Sequence, residues 1–367
     1  MRIALIGCGG IAESHLAALK KYQPGAQIFL MDSVQTQADR LASRWSVEKA
    51  YSDLDLLFSE ARPESVHILT PPGMHFILAQ KALRSGCHVL IEKPLTETTE
   101  EFLKLSQLAQ EQEKLLAVDY SLLGMPVVRQ ALEAVESESF GRLISVHCEF
   151  ACSWPSNTIP YGNPSHWAYS LPGGVLQNMA DHPASLVVSV MDGVSKHSVS
   201  CVSRNLLPND CPDLLQVTLE NDDQIGSFTL SLAHGNAERR AILLFETGSI
   251  IVDMGRQLIY CTSGRGPQNF VKKTWSGFSE GKARIFGTVG NVLKVLSGKL
   301  GRDPGILNVV DNFYRAIAGK EGLLVDYQTA LGVTKLLEAI WTEIKDSESG
   351  VRPTKRLKNV PVLEAQT

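Results

Sequence analysis

The feature that most constrains this chain lies at its start. A short apolar run, residues 3–6, ends in Gly7-Cys8-Gly9-Gly10-Ile11-Ala12, a G-x-G-x-x-A pattern that opens a helix-forming stretch. A strand that turns sharply into a helix needs Gly7 for the tight turn and Gly9 so that backbone can approach a pyrophosphate. It needs the small Ala12 so that the helix can lie close to the strand. Such a loop, Gly10 and Ile11 included, presents free N–H groups and the positive end of a helix dipole to phosphate. The pattern is informative only after a strand, before a helix, and with an acidic residue about 20 positions on. Asp32, which ends the second apolar run, meets that last condition. Its carboxylate can accept hydrogen bonds from the adenosine ribose hydroxyls and would repel a 2′-phosphate. The first cation beyond it is Arg40, and residues 33–37 supply no phosphate clamp. The chain is therefore expected to bind NAD rather than NADP.

The pattern continues for about a hundred residues. Apolar runs at 28–31, 66–69, 89–91 and 115–118 alternate with helix-like stretches at 13–22, 36–45, 75–85 and 99–112. Strands alternating with helices predict an α/β fold with a parallel, doubly wound sheet, a Rossmann domain over residues 1–120. The character then changes. Apolar strands recur at 142–150, 197–204, 213–220, 224–233, 240–246, 249–253 and 257–261, several joined by short polar turns. Short links between strands predict a mostly antiparallel sheet. With helices expected near 183–191, 305–318 and 328–345, residues 121–346 read as an α+β domain for substrate binding and oligomerisation. Residues 347–367 read as an extended tail.

Further motifs fall in a fixed order along this frame. Thr70-Pro71-Pro72-Gly73-Met74-His75 follows one strand, and Glu92-Lys93-Pro94 follows the next. The run from Gly173 to His182, which contains Asn178 and Asp181, lies farther on, and Asn312-Phe313 and Asp326 occur near the end. Together with the glycine loop and His15, this series resembles the Gfo/Idh/MocA family of glucose–fructose oxidoreductase and inositol dehydrogenase relatives. The resemblance implies an NAD-dependent dehydrogenase acting on CH–OH groups of a sugar, cyclitol or nucleotide-linked sugar. Its nicotinamide site would lie between the domains, near Lys93 and His182. It implies cofactor contacts from Thr70, Pro71, His75, Glu92 and Lys93, and a cis Lys93–Pro94 peptide. Oxidising a secondary alcohol needs a base for the hydroxyl proton while C–H leaves as hydride. Lysine can serve if desolvation or a nearby cation lowers its pKa, and histidine is already poised near neutrality.

The chain departs from its relatives in three places. Asn178 stands where many carry Asp; its amide can orient a hydroxyl but cannot act as a base, which shifts the proton work to Lys93 and His182. Pro183 lacks an N–H and is expected to mark a helix start near 183, so helical spacing is not relied on to bring Asn178 and His182 together. The segment Tyr120 to Pro126 replaces an Arg-Phe pair and removes a cation. Candidate substrate contacts are Tyr120, His166, Trp167 and Asp181. The aromatic loop from Trp154 to Tyr169 suits stacking on a sugar ring or packing on the sheet.

Composition excludes other classes. A formal charge of −4 offers no global basic field for nucleic acid. Seven scattered cysteines suggest reduced thiols and a cytoplasmic protein, with no metal site expected. Residues 282–302 mix apolar side chains with cations and no acids. They are expected to pack on their own domain or on a partner subunit rather than on a membrane. The partners expected are a small sugar-like substrate and a second copy of the chain, as homodimer or homotetramer. Two other readings are an enzyme that uses bound NAD transiently during elimination or hydrolysis, and a non-catalytic dinucleotide-binding regulator.

Overall fold

The computed structural model describes residues 1–153, 163–234, 237–263, 270–297 and 303–346. The tail from 347, the first part of the aromatic loop (154–162) and residues 298–302 lie outside them.

The nucleotide half contains β1 (Arg2–Ile6), α1 (Ala12–Tyr22), β2 (Gln27–Met31), α2 (Gln35–Trp45), β3 (Lys49–Tyr51) and the short α3 (Leu54–Leu56). It continues with β4 (Ser65–Ile68), α4 (His75–Arg84), β5 (His88–Glu92), α5 (Thr99–Glu111) and β6 (Leu116–Asp119). All six strands are parallel, in the order β3-β2-β1-β4-β5-β6. A sheet covered by helices on both faces buries every position of its central strands, which is why β1 and β4 read as unbroken apolar runs. The edge strand β3 is three residues long and partly exposed, and it carries no such run. Order reverses between β1 and β4, the switch point at which open α/β sheets bind ligands beyond the carboxyl ends of their strands.

The second half contains α6 (Pro126–Glu136), β7 (Leu143–Ser153), α7 (Gly174–Val190), β8 (Lys196–Val202), β9 (Leu214–Glu220), β10 (Ile225–His234) and β11 (Glu238–Phe245). After these come β12 (Gly248–Asp253), β13 (Leu258–Ser263), α8 (Phe270–Leu296), α9 (Pro304–Ile317) and α10 (Tyr327–Asp346). The seven strands form one sheet in the order β13-β12-β11-β7-β10-β9-β8, antiparallel except for the β7–β10 pair. Strict alternation sends Val146, Cys148 and Phe150 inward on β7 and Leu215, Val217 and Leu219 inward on β9, where α7 covers them. Sequence reading assigns no element to α6, although Val127, Val128, Ala131 and Leu132 bury one helical face behind a proline suited to the first turn.

Two features depart from the linear picture. Helix α9, although late in sequence, packs on α1, and Ile306, Val310 and Phe313 share a buried cluster with Ile3, Leu5 and Leu16 of the nucleotide half. Close approach makes this possible. A Cβ on Gly305 would lie 1.9 Å from the Ser121 carbonyl oxygen, and one on Gly124 would lie 2.4 Å from the Gly305 oxygen. The Tyr120–Pro126 segment is thus a tight turn locked under α9, with Asn308 Nδ2 donating to the Gly124 oxygen at 2.8 Å.

The expected helix start near 183 is wrong. Helix α7 begins at Gly174 and carries Pro183 in its interior. Burial against the sheet and α10 on both sides of the proline outweighs the cost of the missing N–H. Asn178 and His182 therefore do lie one turn apart on the same helix.

Candidate active site

The glycine loop follows β1. Gly7 takes φ +102°, and any Cβ there would strike the Leu69 carbonyl oxygen at 2.7 Å, so only glycine fits. Gly9 and Gly10 face open space, with nothing within 4 Å of a Cβ at either. Helix α1 begins after Ile11 with no side-chain cap, and buried Ala12 seats it on the sheet. Asp32, half-buried, accepts from Cys8 N at 2.9 Å through one oxygen and from Val34 N at 2.9 Å through the other. It therefore fixes the loop that it also borders, and each oxygen retains a second lone pair.

The Thr70–His75 turn follows β4. The Thr70 hydroxyl is buried with no hydrogen-bond partner among the described residues, and Pro71 stands exposed beside it. His75 is buried instead of facing a ligand. Its ring bridges the Thr70 oxygen at 2.8 Å and the Pro94 oxygen at 2.7 Å, latching the two loops together. An open glycine cradle, an uncapped helix start and an orphaned hydroxyl fit an NAD molecule laid across the strand ends.

Glu92 ends β5 and leads into Lys93, whose peptide to Pro94 is cis. The lysine crosses to the second half of the molecule. Its Nζ donates to the Asn178 backbone oxygen at 2.5 Å and to Asn178 Oδ1 at 3.0 Å. Pro183, inside the same helix, supplies no N–H to the Met179 carbonyl, the one after the oxygen that Lys93 reaches. One turn on, His182 stacks on Phe150 with centroids 5.5 Å apart and planes 14° from parallel. Burial first, then the charges of Lys93 and Arg239, hold its imidazole well below the usual histidine range. It is neutral at physiological pH and keeps a lone pair for a proton.

Beneath Glu92 lies a buried polar chain that sequence reading gives no role. His15 Nε2 sits 3.4 Å from Glu92 Oε1 and 3.3 Å from Asp119 Oδ2, while its Nδ1 is 3.0 Å from His67 Nδ1. His67 Nε2 in turn meets the Tyr314 hydroxyl at 2.8 Å. Burial, reinforced by the Glu92 charge, pushes the Asp119 carboxyl well up. Burial alone would raise Glu92 too, but His15 and Lys93 outweigh it and bring it below its usual range. The two carboxyls are thus pushed in opposite directions, Asp119 up and Glu92 down. Donor atoms of His15, Glu92 and Asp119 lie within 4.8 Å of one another, a spacing a metal ion could use. His15 meets Glu92 and His67 at hydrogen-bond distance and pairs with Asp119 at 3.3 Å, while both Asp119 oxygens are buried with no hydrogen-bond partner among the described residues. The polar end of the otherwise apolar 115–119 run is the one signal that could have revealed Asp119.

The four candidate substrate residues divide. Tyr120 and Asp181 are each 1% exposed and belong to the wall of the site, not to a surface that a ligand touches. His166 and Trp167 remain half-exposed, their rings 5.1 Å apart, with Trp167 also leaning on the core.

Residues 1–120 match the family described as oxidoreductase family, NAD-binding Rossmann fold, and residues 128–251 match the GFO/IDH/MocA C-terminal domain. An uncharacterized oxidoreductase of Synechocystis sp. is 25% identical over 267 residues, 69% of this chain and 71% of that protein. The UDP-N-acetylglucosamine 3-dehydrogenase of Acidithiobacillus ferrooxidans is 32% identical over 142 residues, 38% of this chain but only 42% of its own length. Among solved structures, the WlbA dehydrogenase from Bordetella pertussis, in complex with NADH and UDP-GlcNAcA, aligns with a TM-score of 0.75 at 20% identity. The alignment covers 93% of this chain and 94% of that one. That likeness is one of fold.

Proposed function

This chain belongs to the Gfo/Idh/MocA family of NAD-binding oxidoreductases, and from that premise we propose that it transfers hydride between NAD and a hydroxyl or keto carbon of a sugar-like substrate. Nucleotide-linked sugars are the first class to test, since a UDP-sugar dehydrogenase is among its relatives. The observation that carries the reading is the convergence of Lys93, Asn178 and His182 across the two halves of the molecule.

Bound NAD supplies a hydride acceptor for the carbinol C–H. The chain supplies the rest. Asn178 holds Lys93 and offers an amide to a substrate hydroxyl. The hydroxyl proton passes to the neutral His182, or to Lys93 once that lysine has shed its own proton, so that positive charge builds on the protein as the carbonyl forms. His166 and Trp167 offer a half-exposed stacking edge for the ring. We place the enzyme in the cytoplasm as a homodimer or homotetramer. Support for assembly comes from Ile144, Ile225, Ile242 and Leu244, apolar side chains exposed on strands of the second sheet.

A panel of nucleotide sugars, free sugars and cyclitols, read at the NADH absorbance, tests the proposal. Turnover of one member that is lost in Lys93→Met with NAD still bound is the expected result. Absence of NADH with every member, with cofactor retained through purification, would instead favour internal transient redox.

A further inference from the structure

The inward residues of β11 are Arg239, Ala241, Leu243 and Phe245, an alternating series in which the last three are buried and apolar and the first is a half-buried cation. Arg239 stands directly opposite Phe150 of β7, so the two side chains share a face. Its guanidinium carbon lies 4.8 Å from the Phe150 ring centroid, and the same ring stacks on His182. That imidazole feels the Arg239 charge, after burial and the charge of Lys93. A second cation therefore stands beside the proton-handling end of the site.

No carboxylate answers it among the described residues. Other arginines of the same sheet are paired: Arg204 with Asp213, and Arg240 and Arg256 with Glu238 and Asp253. Arg239 has no such pair among the described residues. Its Nε is buried without a hydrogen-bond partner, and its side chain donates to the Cys152 sulfur, a weak acceptor. The adjoining sequence supplies no counter-ion either, since no acid occurs between Glu149 and Asp181 or between Asp223 and Glu238. Asp181 itself answers to Lys93 and Glu92.

A guanidinium stays charged at any physiological pH, and half-burying it without a counter-ion is costly. The cofactor does not supply one: its pyrophosphate belongs to the glycine loop of the other half, and its oxidised ring is itself positive. On the reading that hydride passes at Lys93 and His182, we infer that Arg239 selects an anionic substrate. Its planar fork pairs with a carboxylate or phosphate of the sugar-like molecule while Lys93 and His182 take the hydroxyl. A neutral sugar leaves the guanidinium unpaired, which is how such a site rejects it.

Titration of the NAD-loaded full chain with glucose, glucuronate, glucose 6-phosphate, UDP-glucose and UDP-glucuronate, followed by calorimetry and by NADH absorbance, gives the test. At least one charged sugar is expected to bind roughly 10–100-fold more tightly than its counterpart lacking that charge. An advantage of glucuronate over glucose, or of UDP-glucuronate over UDP-glucose, assigns the pairing to carboxylate. An advantage of glucose 6-phosphate or UDP-glucose over glucose assigns it to phosphate. Arg239→Gln is expected to abolish the advantage, raising Kd and KM with kcat changed less, while glucose and NAD bind as before. Arg239→Lys is expected to restore part of it. Failure of every charged sugar to bind overturns the proposal, as does equal affinity for charged and neutral sugars. So does an Arg239→Gln variant that keeps the advantage or weakens both kinds of sugar alike. Arg239-dependent binding without NADH would uphold the anion site and refute hydride transfer; NADH formed from a neutral sugar at full rate in Arg239→Gln would do the reverse.

Discussion

Asp181 offers a stability test that does not depend on knowing the substrate. Its carboxyl is 1% exposed, and Oδ1 is buried with no hydrogen-bond partner among the described residues. Burial lifts it from 3.8 to about 6; Glu92 adds to the rise and the Lys93 charge opposes it. Because the folded-state value lies above the unfolded one, the folded chain holds this proton more tightly. Whatever the proton contributes is fully present below pH 3.8 and is lost as pH rises through 6. Above that point both states are ionised, and the folded one carries a buried charge at a cost of about 3 kcal/mol. At pH 4.5 the cost is only about 1 kcal/mol, since most of the folded population keeps its proton. Asp181→Asn keeps the shape and removes the ionisation. It should therefore stabilise the protein by about 3 kcal/mol at pH 8 and by about 1 kcal/mol at pH 4.5. Urea unfolding at the two pH values, with unchanged m, measures the difference. An equal gain at both, or a loss at pH 8, would refute the reasoning.

Other perturbations have equally definite outcomes. Lys93→Met should lower turnover by about 10²–10⁴-fold while NAD still binds, and Asn178→Ala should lose less; steady-state kinetics alongside cofactor fluorescence separates the two. Asp32→Ala should weaken NAD and narrow its advantage over NADP, whereas a wild-type preference for NADP in the same titration contradicts the assignment. Gly305→Ala places a methyl 1.9 Å from the Ser121 oxygen, and despite alanine's better helix propensity it should destabilise by about 1–3 kcal/mol in denaturant unfolding. A neutral effect would mean that α9 can lift from the turn.

What could be read beforehand followed from pattern and chemistry on single elements. Buried parallel strands announce themselves as apolar runs, and the alternation in β9 and β11 gave the second sheet. The glycine loop and Asp32 are a local motif, so their position followed directly. Failures came where two distant segments meet. The proline rule at 183 describes an isolated helix, and the packing that overrides it is tertiary. His75 reads as a ligand contact because its loop does, yet the ring is consumed in bridging Thr70 and Pro94. Asp119, His67 and Tyr314 join His15 from two strands and a helix that no spacing connects. The return of α9 to the nucleotide half is visible only as a glycine, Gly305, whose partner lies at Gly124.

The lysine that bridges the halves is anchored by two oxygens of one residue, and the shorter bond goes to the main chain. A main-chain oxygen is present whatever side chain follows it. The location of Lys93 is therefore insured against substitution at 178, while the charge beside it is left open to change. An exchange between amide and carboxylate there alters the electrostatic setting of the site without moving its lysine. The position works as a tuning point, and drift at it costs geometry little.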